Sequence, residues 1–377
     1  MPVQADKKQR KPVIRVLAVA EHSDLAETHM FIGLSQSGVH LEVMCPDNVP
    51  NRQRLVDAGI VVHSLQLDGR FDRVGTAEIR QRVIDGEFDI VHAFNNPTVS
   101  NSLRAIKGLD VRFIAYRGIE ANVSVISPSS WTTYLHHRVD KIICVADAIR
   151  RFLVKLRFLW WSFPPDKAIT IYKGHDLGWY RSPAVPRDQL GLPESAFVVG
   201  CTVNERPRKG LTYLIDAAAL LPKDADIHFL LIGRINGKPT LDRIAASPLR
   251  ENIHLTGYRN DAPQALASCN ACILPALRRE GLPKGIIEGM AYAVTPIVTD
   301  SGGSPELVEV GKSGIVIPPG SAQAIADAIL QLYNDQQACR EMGLAAQQRI
   351  QRDFHVSKTV EQTLAVYEEL VASRHAG

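Results

Sequence analysis

The stretch CILPALRREGLPKGIIEGMAYAVTPIVTDSGGSPELVE, Cys272–Glu309, carries most of the information in this 377-residue chain. It opens on an apolar run that ends at Pro275 and reads as a buried strand. A polar loop with Arg278, Arg279, Glu280 and Gly281 follows. Pro283 then stands in the first turn of a helix running to about Tyr292, the position where proline is best tolerated. Ile286, Ile287, Met290 and Ala291 form its apolar face, and Glu288 shares the opposite side with Lys284. The free N–H groups and positive dipole end of such a helix suit an anion such as phosphate. Gly285 and Gly289 leave room for a ligand or another element to approach. A second strand, Thr295–Thr299, runs into Asp300-Ser301-Gly302-Gly303-Ser304-Pro305-Glu306, a glycine turn with a proline suited to another helix start. Two such units in succession predict a phosphate or sugar pocket at one sheet edge. Glu280 at its mouth and Glu288 a turn into the helix are placed to hold hydroxyls of a polyol. The plainer reading is a helix-start acid and a Lys284–Glu288 surface pair worth ~0.3–0.5 kcal/mol.

The same alternation of strand and helix fills the chain. Strand-like runs lie at Val13–Ala20, Leu41–Cys45, Phe88–Ala93, Val111–Tyr116, Lys141–Val145 and Ala168–Tyr172. A second series covers Ala196–Cys201, Ile227–Ile232, Asn252–Thr256, Ala271–Pro275, Thr295–Thr299 and Gly314–Ile317. Most are apolar on both faces and rich in Val and Ile, as parallel strands covered by helices are. The pattern predicts an α/β fold of two doubly wound, Rossmann-like units. Residues 176–195 hold Pro183, Pro186, Pro193, Gly178 and Gly191 and read as a linker. It divides a unit at 1–175 from one at 196–355. In 356–377, Val360, Leu364, Val366, Tyr367 and Leu370 recur at helical spacing and predict an amphipathic helix. Open α/β sheets bind ligands at the carboxyl ends of their strands, so two facing sheets predict a cleft lined by those loops.

Composition limits the alternatives. Apolar residues make up 45% and charged residues 22%, enough apolar material for two cores and too much for a disordered chain. The net charge of +3 speaks against a nucleic-acid partner, which calls for a strong basic excess. Six cysteines make no disulfide scaffold and predict reduced, buried thiols; Cys269 and Cys272 form a CxxC that reads as core. The N-terminal MPVQADKKQRKP is polar and basic, and the apolar run after it is too short for a signal-peptide core or a membrane span. These features predict a cytoplasmic chain that touches a membrane only from outside. Arg150–Phe163, RRFLVKLRFLWWSF, alternates cations with large apolar groups. It reads as a basic amphipathic helix for an anionic membrane surface, or as an ordinary helix whose aromatic residues enter a core.

The stretch EGLPKGIIEGMAYAVTPIVTDSGGSPELV resembles the signature of the retaining glycosyltransferases of family 4: two glutamates with seven residues between them, then a helix, a strand and a GG-x-PE turn. The resemblance extends over about 196–350, through IHLTGYRNDAPQALASCNACILPA and GIVIPPGSAQAIADAI. Before the linker it rests on strand order, FDIVHAF, and HHRVDKIICVADAIRRFL through IYKGHD, similar to sugar transferases of lipopolysaccharide and polysaccharide synthesis. It implies the GT-B fold, two facing Rossmann-like domains with a C-terminal crossover helix. It implies a nucleotide-diphosphate sugar as donor, a glycan or glycolipid as acceptor, and no metal or other cofactor. Carried onto this sequence, Glu280 contacts the donor sugar and Glu288 the ribose hydroxyls. Gly281, Leu282, Pro283 and the turn at Gly302-Gly303 seat sugar and phosphates. Lys209 matches the family lysine that neutralises the diphosphate. The family arginine is displaced, Val203 holding its usual slot, and Arg206, or else Arg208, substitutes.

Acceptor contacts fall to the first unit, with His92 at a strand end and His22 in the first loop as candidates. Two features depart from the family. Glu21-His22-Ser23-Asp24-Leu25 lacks paired glycines, and Arg117 stands where a catalytic-looking histidine is expected. Asp224-Ala225-Asp226 is a DxD triplet, but it precedes a strand and so falls at the end away from the cleft. His136-His137 reads as a helix surface. Rival readings are a GT-B epimerase or phosphorylase, a non-catalytic nucleotide-sugar binder, and a dinucleotide-dependent dehydrogenase. The first turn, AEHSDL, has no GxGxxG and counts against the last.

Overall fold

The computed structural model describes residues 13–375; the basic segment 1–12 and residues 376–377 lie outside the described residues. Two parallel sheets organise the chain. The first contains β1 (Arg15–Val19), β2 (His40–Cys45), β3 (Val61–Ser64), β4 (Ile90–Ala93), β5 (Arg112–Arg117), β6 (Lys141–Cys144) and, after the two-stranded hairpin of β7 (Arg157–Phe158) and β8 (Trp161–Ser162), β9 (Ala168–Thr170). Its order is β3-β2-β1-β4-β5-β6-β9. The second contains β10 (Phe197–Thr202), β11 (Ile227–Ile232), β12 (Ile253–Gly257), β13 (Ala271–Leu274), β14 (Thr295–Thr299) and β15 (Ile315–Ile317), in the order β12-β11-β10-β13-β14-β15.

In both sheets the earliest strand lies inside and the order reverses beside it. That reversal opens a crevice at the carboxyl ends, where open α/β sheets take ligands. Val16, Leu17, Ala18 and Val19 of β1 are all fully buried, as expected where a strand has a neighbour on each side and helices on both faces. The valines and the leucine each stabilise the fold by ~1.5–3 kcal/mol relative to exposure. β3 escapes the sequence reading because it is a short edge strand with exposed Val61 and Ser64 and no continuous apolar run.

Each sheet has its own core. The second includes Leu190 and Leu192, so the proline-rich connection is not simply a linker. Its first part, the short turn Leu177–Trp179, lies at the cleft. The last helix, Val356–His375, returns to the first core and buries Val366, Tyr367, Leu370 and Val371 there. Where it crosses back, His175 and His355 form an isolated parallel bridge, with His175 N–H donating to Phe354 O at 2.7 Å and Val356 N–H to His175 O at 3.1 Å. Gly174 is required at this crossing: a Cβ there would lie 2.6 Å from Val356 Cα and 2.7 Å from His355 O.

Three expectations are corrected. Arg150–Phe163 is not one helix: the helix Asp147–Val154 ends and the β7–β8 hairpin follows. His136 and His137 stack with ring centroids 4.4 Å apart, but in a turn. The turn after Gly303 opens only a single 3-10 turn, Ser304–Leu307, rather than a full helix. All six cysteines are free and buried. Among the described residues no helix is long and apolar enough to cross a membrane.

Candidate active site

A cleft of about 610 Å³ lies between the carboxyl edges of the two sheets. From the second unit it takes Thr202, Arg206, Arg208, Lys209, Tyr258 and Arg259, with Pro283, Lys284, Gly285 and Glu288 at the start of the helix Lys284–Ala291. Pro283 caps this helix from the position just before its first turn, with extended backbone. The predicted helix start therefore does face the cleft, presenting N–H groups that have no intrahelical acceptor.

Glu280 is the electrostatic centre of the loop after β13. It is only 5% exposed, and Oε1 accepts from Arg208 Nη1 at 2.8 Å while Oε2 accepts from Lys209 Nζ at 2.9 Å. Two loops hold it in place. Leu277 N–H donates to Arg208 O at 2.8 Å, and Gly303 N–H donates to Glu280 O at 3.2 Å. Gly302, at φ +57°, packs so tightly that a Cβ would lie 2.1 Å from Glu280 O. The paired glycines thus position Glu280 rather than line the cleft. A buried carboxylate shared by two cations is costly to isolate, so the three charges act as a unit. Arg208 and Lys209 both border the cleft, as does Arg206, which forms no ion pair among the described residues.

Glu288, one turn into the helix, is 6% exposed and lines the cleft. Burial pushes its carboxyl above the ordinary range, against the charge of Lys284 3.2 Å away. The Lys284–Glu288 pair is therefore real, but the acid faces inward. Gly285 lets the helix start approach β10: its Cβ would lie 3.1 Å from Thr202 Cβ.

The opposite wall was not read from the sequence. It comprises Asp24, Leu25, His175, Trp179 and Tyr180. Asp24 caps the helix Leu25–Gln36, forms a capping box with Glu27, and meets half-buried Lys173, whose Nζ is 2.5 Å from Asp24 and 2.8 Å from Glu27. Burial opposes ionisation of Asp24, but Lys173 outweighs it and holds that acid below its ordinary range. His175 Nδ1 pairs with Tyr180 Oη at 2.6 Å, and burial pushes its imidazole down to about 3. The only signal for these residues is the aromatic pair in GHDLGWY, masked by the surrounding glycines and prolines.

Several candidate residues lie elsewhere. His92 is fully buried; its Nδ1 pairs with Tyr367 Oη of the last helix at 2.8 Å, and burial drives its pKa down to about 3. It joins the crossover helix to β4 and does not reach the cleft. His22 is exposed beside Glu21 and outside the cleft lining. Arg117 is buried, its guanidinium 4.4 Å over the Tyr134 ring and 3.3 Å from Asn96 Oδ1, so it holds its own unit together and does not border the cleft. Gly281 and Leu282 also leave the cleft wall. A Cβ on Gly281 would lie 2.2 Å from Gly118 O, and Leu282 packs against both cores, so this pair forms the junction between the units. Asp226 sits at the amino end of β11 beside His228 and Ser195, away from the cleft.

Two Rossmann-like units facing across a cation-lined cleft, joined by a crossover helix, define the GT-B class of sugar-transferring enzymes. Family models agree. "Glycosyl transferases group 1" matches residues 195–335 and "Glycosyltransferase Family 4" matches residues 28–179. The chain belongs to these glycosyltransferases. It is 25% identical over 308 residues to the phosphatidyl-myo-inositol mannosyltransferase of Mycobacterium leprae (strain TN), covering 79% of this chain and 78% of that protein. It is 25% identical over 282 residues to the lipopolysaccharide core biosynthesis mannosyltransferase LpsB of Rhizobium meliloti (strain 1021), covering 71% and 77% respectively. Some other curated relatives are matched over about half their length. Among solved structures, Anabaena Alr3699/HepE in complex with UDP superposes with a TM-score of 0.76 at 21% identity, covering 94% of this chain and all of that one.

Proposed function

We propose that the cleft binds a nucleoside-diphosphate sugar and transfers its sugar, with retained anomeric configuration, to a hydroxyl of a glycan or glycolipid in cell-surface polysaccharide or lipopolysaccharide synthesis. The observation that carries this reading is that Arg208 and Lys209 line the cleft with the helix start and Glu288, while Glu280, behind the lining, pairs with both cations. Glu288 serves the ribose hydroxyls. The helix start and Lys209, with Arg206 and Arg208, serve the diphosphate. Glu280 positions two of those cations and stands nearest the transferred sugar. Relatives that carry mannosyltransferase names and a structural neighbour holding UDP support the donor class.

The chemistry follows from charge. As the bond between the anomeric carbon and the phosphate oxygen breaks, negative charge grows on the departing diphosphate. Fixed cations and backbone N–H groups stabilise that charge without reorganising, and one such donor is typically worth ~100–1,000-fold in rate. The acceptor oxygen adds on the face the diphosphate leaves, and its proton passes to a diphosphate oxygen. In this scheme Lys209, Arg206 and Arg208 supply the neutralisation, and no cofactor or metal is called on. We place the reaction in the cytoplasm, a reducing compartment suited to six free, buried cysteines.

A thermal-shift screen across nucleoside-diphosphate sugars tests the donor reading. A true donor at 100 times its dissociation constant stabilises by ~2.7 kcal/mol, whereas the matching nucleoside monophosphate at the same concentration, binding more weakly, stabilises less. Nuclear magnetic resonance of the product then reads the linkage. Retention is expected, and an inverted anomeric centre would overturn the mechanism.

A further inference from the structure

We propose that the β7–β8 hairpin and the neighbouring loop 118–127 form a docking surface for an anionic lipid bilayer. Leu159 and Trp160 form the tip of the hairpin and are 75% and 92% exposed; Phe158 beside them is 43% exposed. Ile126, in the adjoining loop, is 79% exposed. The two segments form one patch, because Trp131 donates to Val125 O at 2.7 Å and its ring meets that of Trp161 at 4.9 Å. Trp161 and buried Phe163 root the hairpin in the first unit, so the tip is held out on a fixed base.

Two further observations point to a lipid surface rather than an accidental exposure. Residues 148–163 contain four cations, Arg150, Arg151, Lys155 and Arg157, and no acid. Asp147 pairs with Arg150 and Arg151, Glu306 lies near Arg151, and Glu120 faces Arg151 and Lys155, while Arg157 beside the tip donates only to backbone carbonyls. A tip of Trp and Leu with Arg157 beside it and further cations on the helix behind it matches the boundary between acyl chains and anionic headgroups. The turn is also built against local preference. Leu159 occupies the first of two central hairpin positions at φ +52°, where glycine is the favoured residue. A large apolar side chain is kept where the backbone alone would choose none.

This docking does not depend on the reaction in the cleft, and it suits the glycolipid form of the proposed acceptor. The helix Asp147–Val154 runs toward the hairpin from the junction of the two units, where Glu306 caps its first turn. Its eight residues span about 12 Å, and the hairpin tip lies beyond its end.

The test is sedimentation of the full chain with vesicles containing anionic phospholipid and with purely zwitterionic ones, at low and high salt. The Leu159→Gly/Trp160→Ser variant is the control, because glycine relieves the strained turn and the melting temperature should hold or rise. We expect wild-type protein to bind anionic vesicles, to dissociate as salt screens the cations, and to lose about tenfold or more in affinity in the variant. Equal sedimentation of variant and wild type, no binding to anionic vesicles, or a tip-dependent dimer in solution without vesicle binding would overturn the proposal. Since no sugar is present, each result is separate from whether the cleft transfers one.

Discussion

Glu280 is the residue on which the site turns, and its role is dual. Its carboxylate fixes Arg208 and Lys209 beside the cleft before any donor arrives. Replacing it by glutamine leaves both cations less constrained and a buried charge balance undone. We predict that Glu280→Gln lowers kcat by ~100-fold or more while a nucleoside diphosphate binds at least as well as to wild type, as isothermal titration calorimetry would show. Weakened diphosphate binding with unchanged kcat would assign the acid to binding alone. Lys209→Ala should do the reverse at the phosphate, raising KM for donor as well as lowering kcat. His92 makes a different prediction because it is a core residue. Its neutral form is favoured in the folded chain, with a pKa near 3 against ~6.5 when unfolded. Its contribution is therefore intact above about pH 6.5 and is lost as pH falls toward 3, by up to ~1.4 kcal/mol per pH unit. His92→Gln should flatten the loss of stability between pH 7 and pH 5 in urea denaturation. An unchanged slope would show that His92 is not the group responsible.

The elements show what a sequence can and cannot disclose. The buried strands and the loop–helix around Glu280 and Glu288 were legible because local pattern, turn chemistry and helix-start residues agree there. The second wall of the cleft was not. His175, Trp179 and Tyr180 occupy a glycine- and proline-rich connection, and only the pairing of His175 with His355 across 180 residues turns that connection into structure. His92 misled for a related reason: its strand-end position looks like the cleft edge, but its partner, Tyr367, lies 275 residues away. The helix expected over Arg150–Phe163 failed because cations alternating with apolar groups fit a hairpin as well as a helix. At the crossing, Gly174→Ala should cost ~1–3 kcal/mol, since its Cβ meets the backbone of His355 and Val356 as well as the Thr359 hydroxyl. A melting temperature equal to wild type would mean that the crossing segments separate easily.

At the scale of the whole molecule, one carboxylate ties the loop of Glu280 to the arrangement of the two units. Glu306, from the GG-x-PE turn, accepts from Asp147 N–H and Ala148 N–H at 2.7 Å each, capping a helix of the opposite unit. The same turn holds Glu280 through Gly302 and Gly303. Gly281 meets Gly118 directly across the junction, so spacing between the units and placement of Glu280 are set together. Glu306→Ala should cost ~1–2 kcal/mol of helix capping and raise hydrogen exchange at the Asp147 and Ala148 amides by about tenfold. Protection unchanged at those amides would show that the cap does not hold the units together.

The most direct measurement is a crystal structure of the protein with an intact nucleoside-diphosphate sugar. The diphosphate should lie on the helix start at Lys284–Gly285 within hydrogen-bond reach of Lys209, the ribose hydroxyls on Glu288, and the sugar beside Glu280. Density for the compound away from both acids, with the cleft between the two sheets left empty, would contradict the assignment.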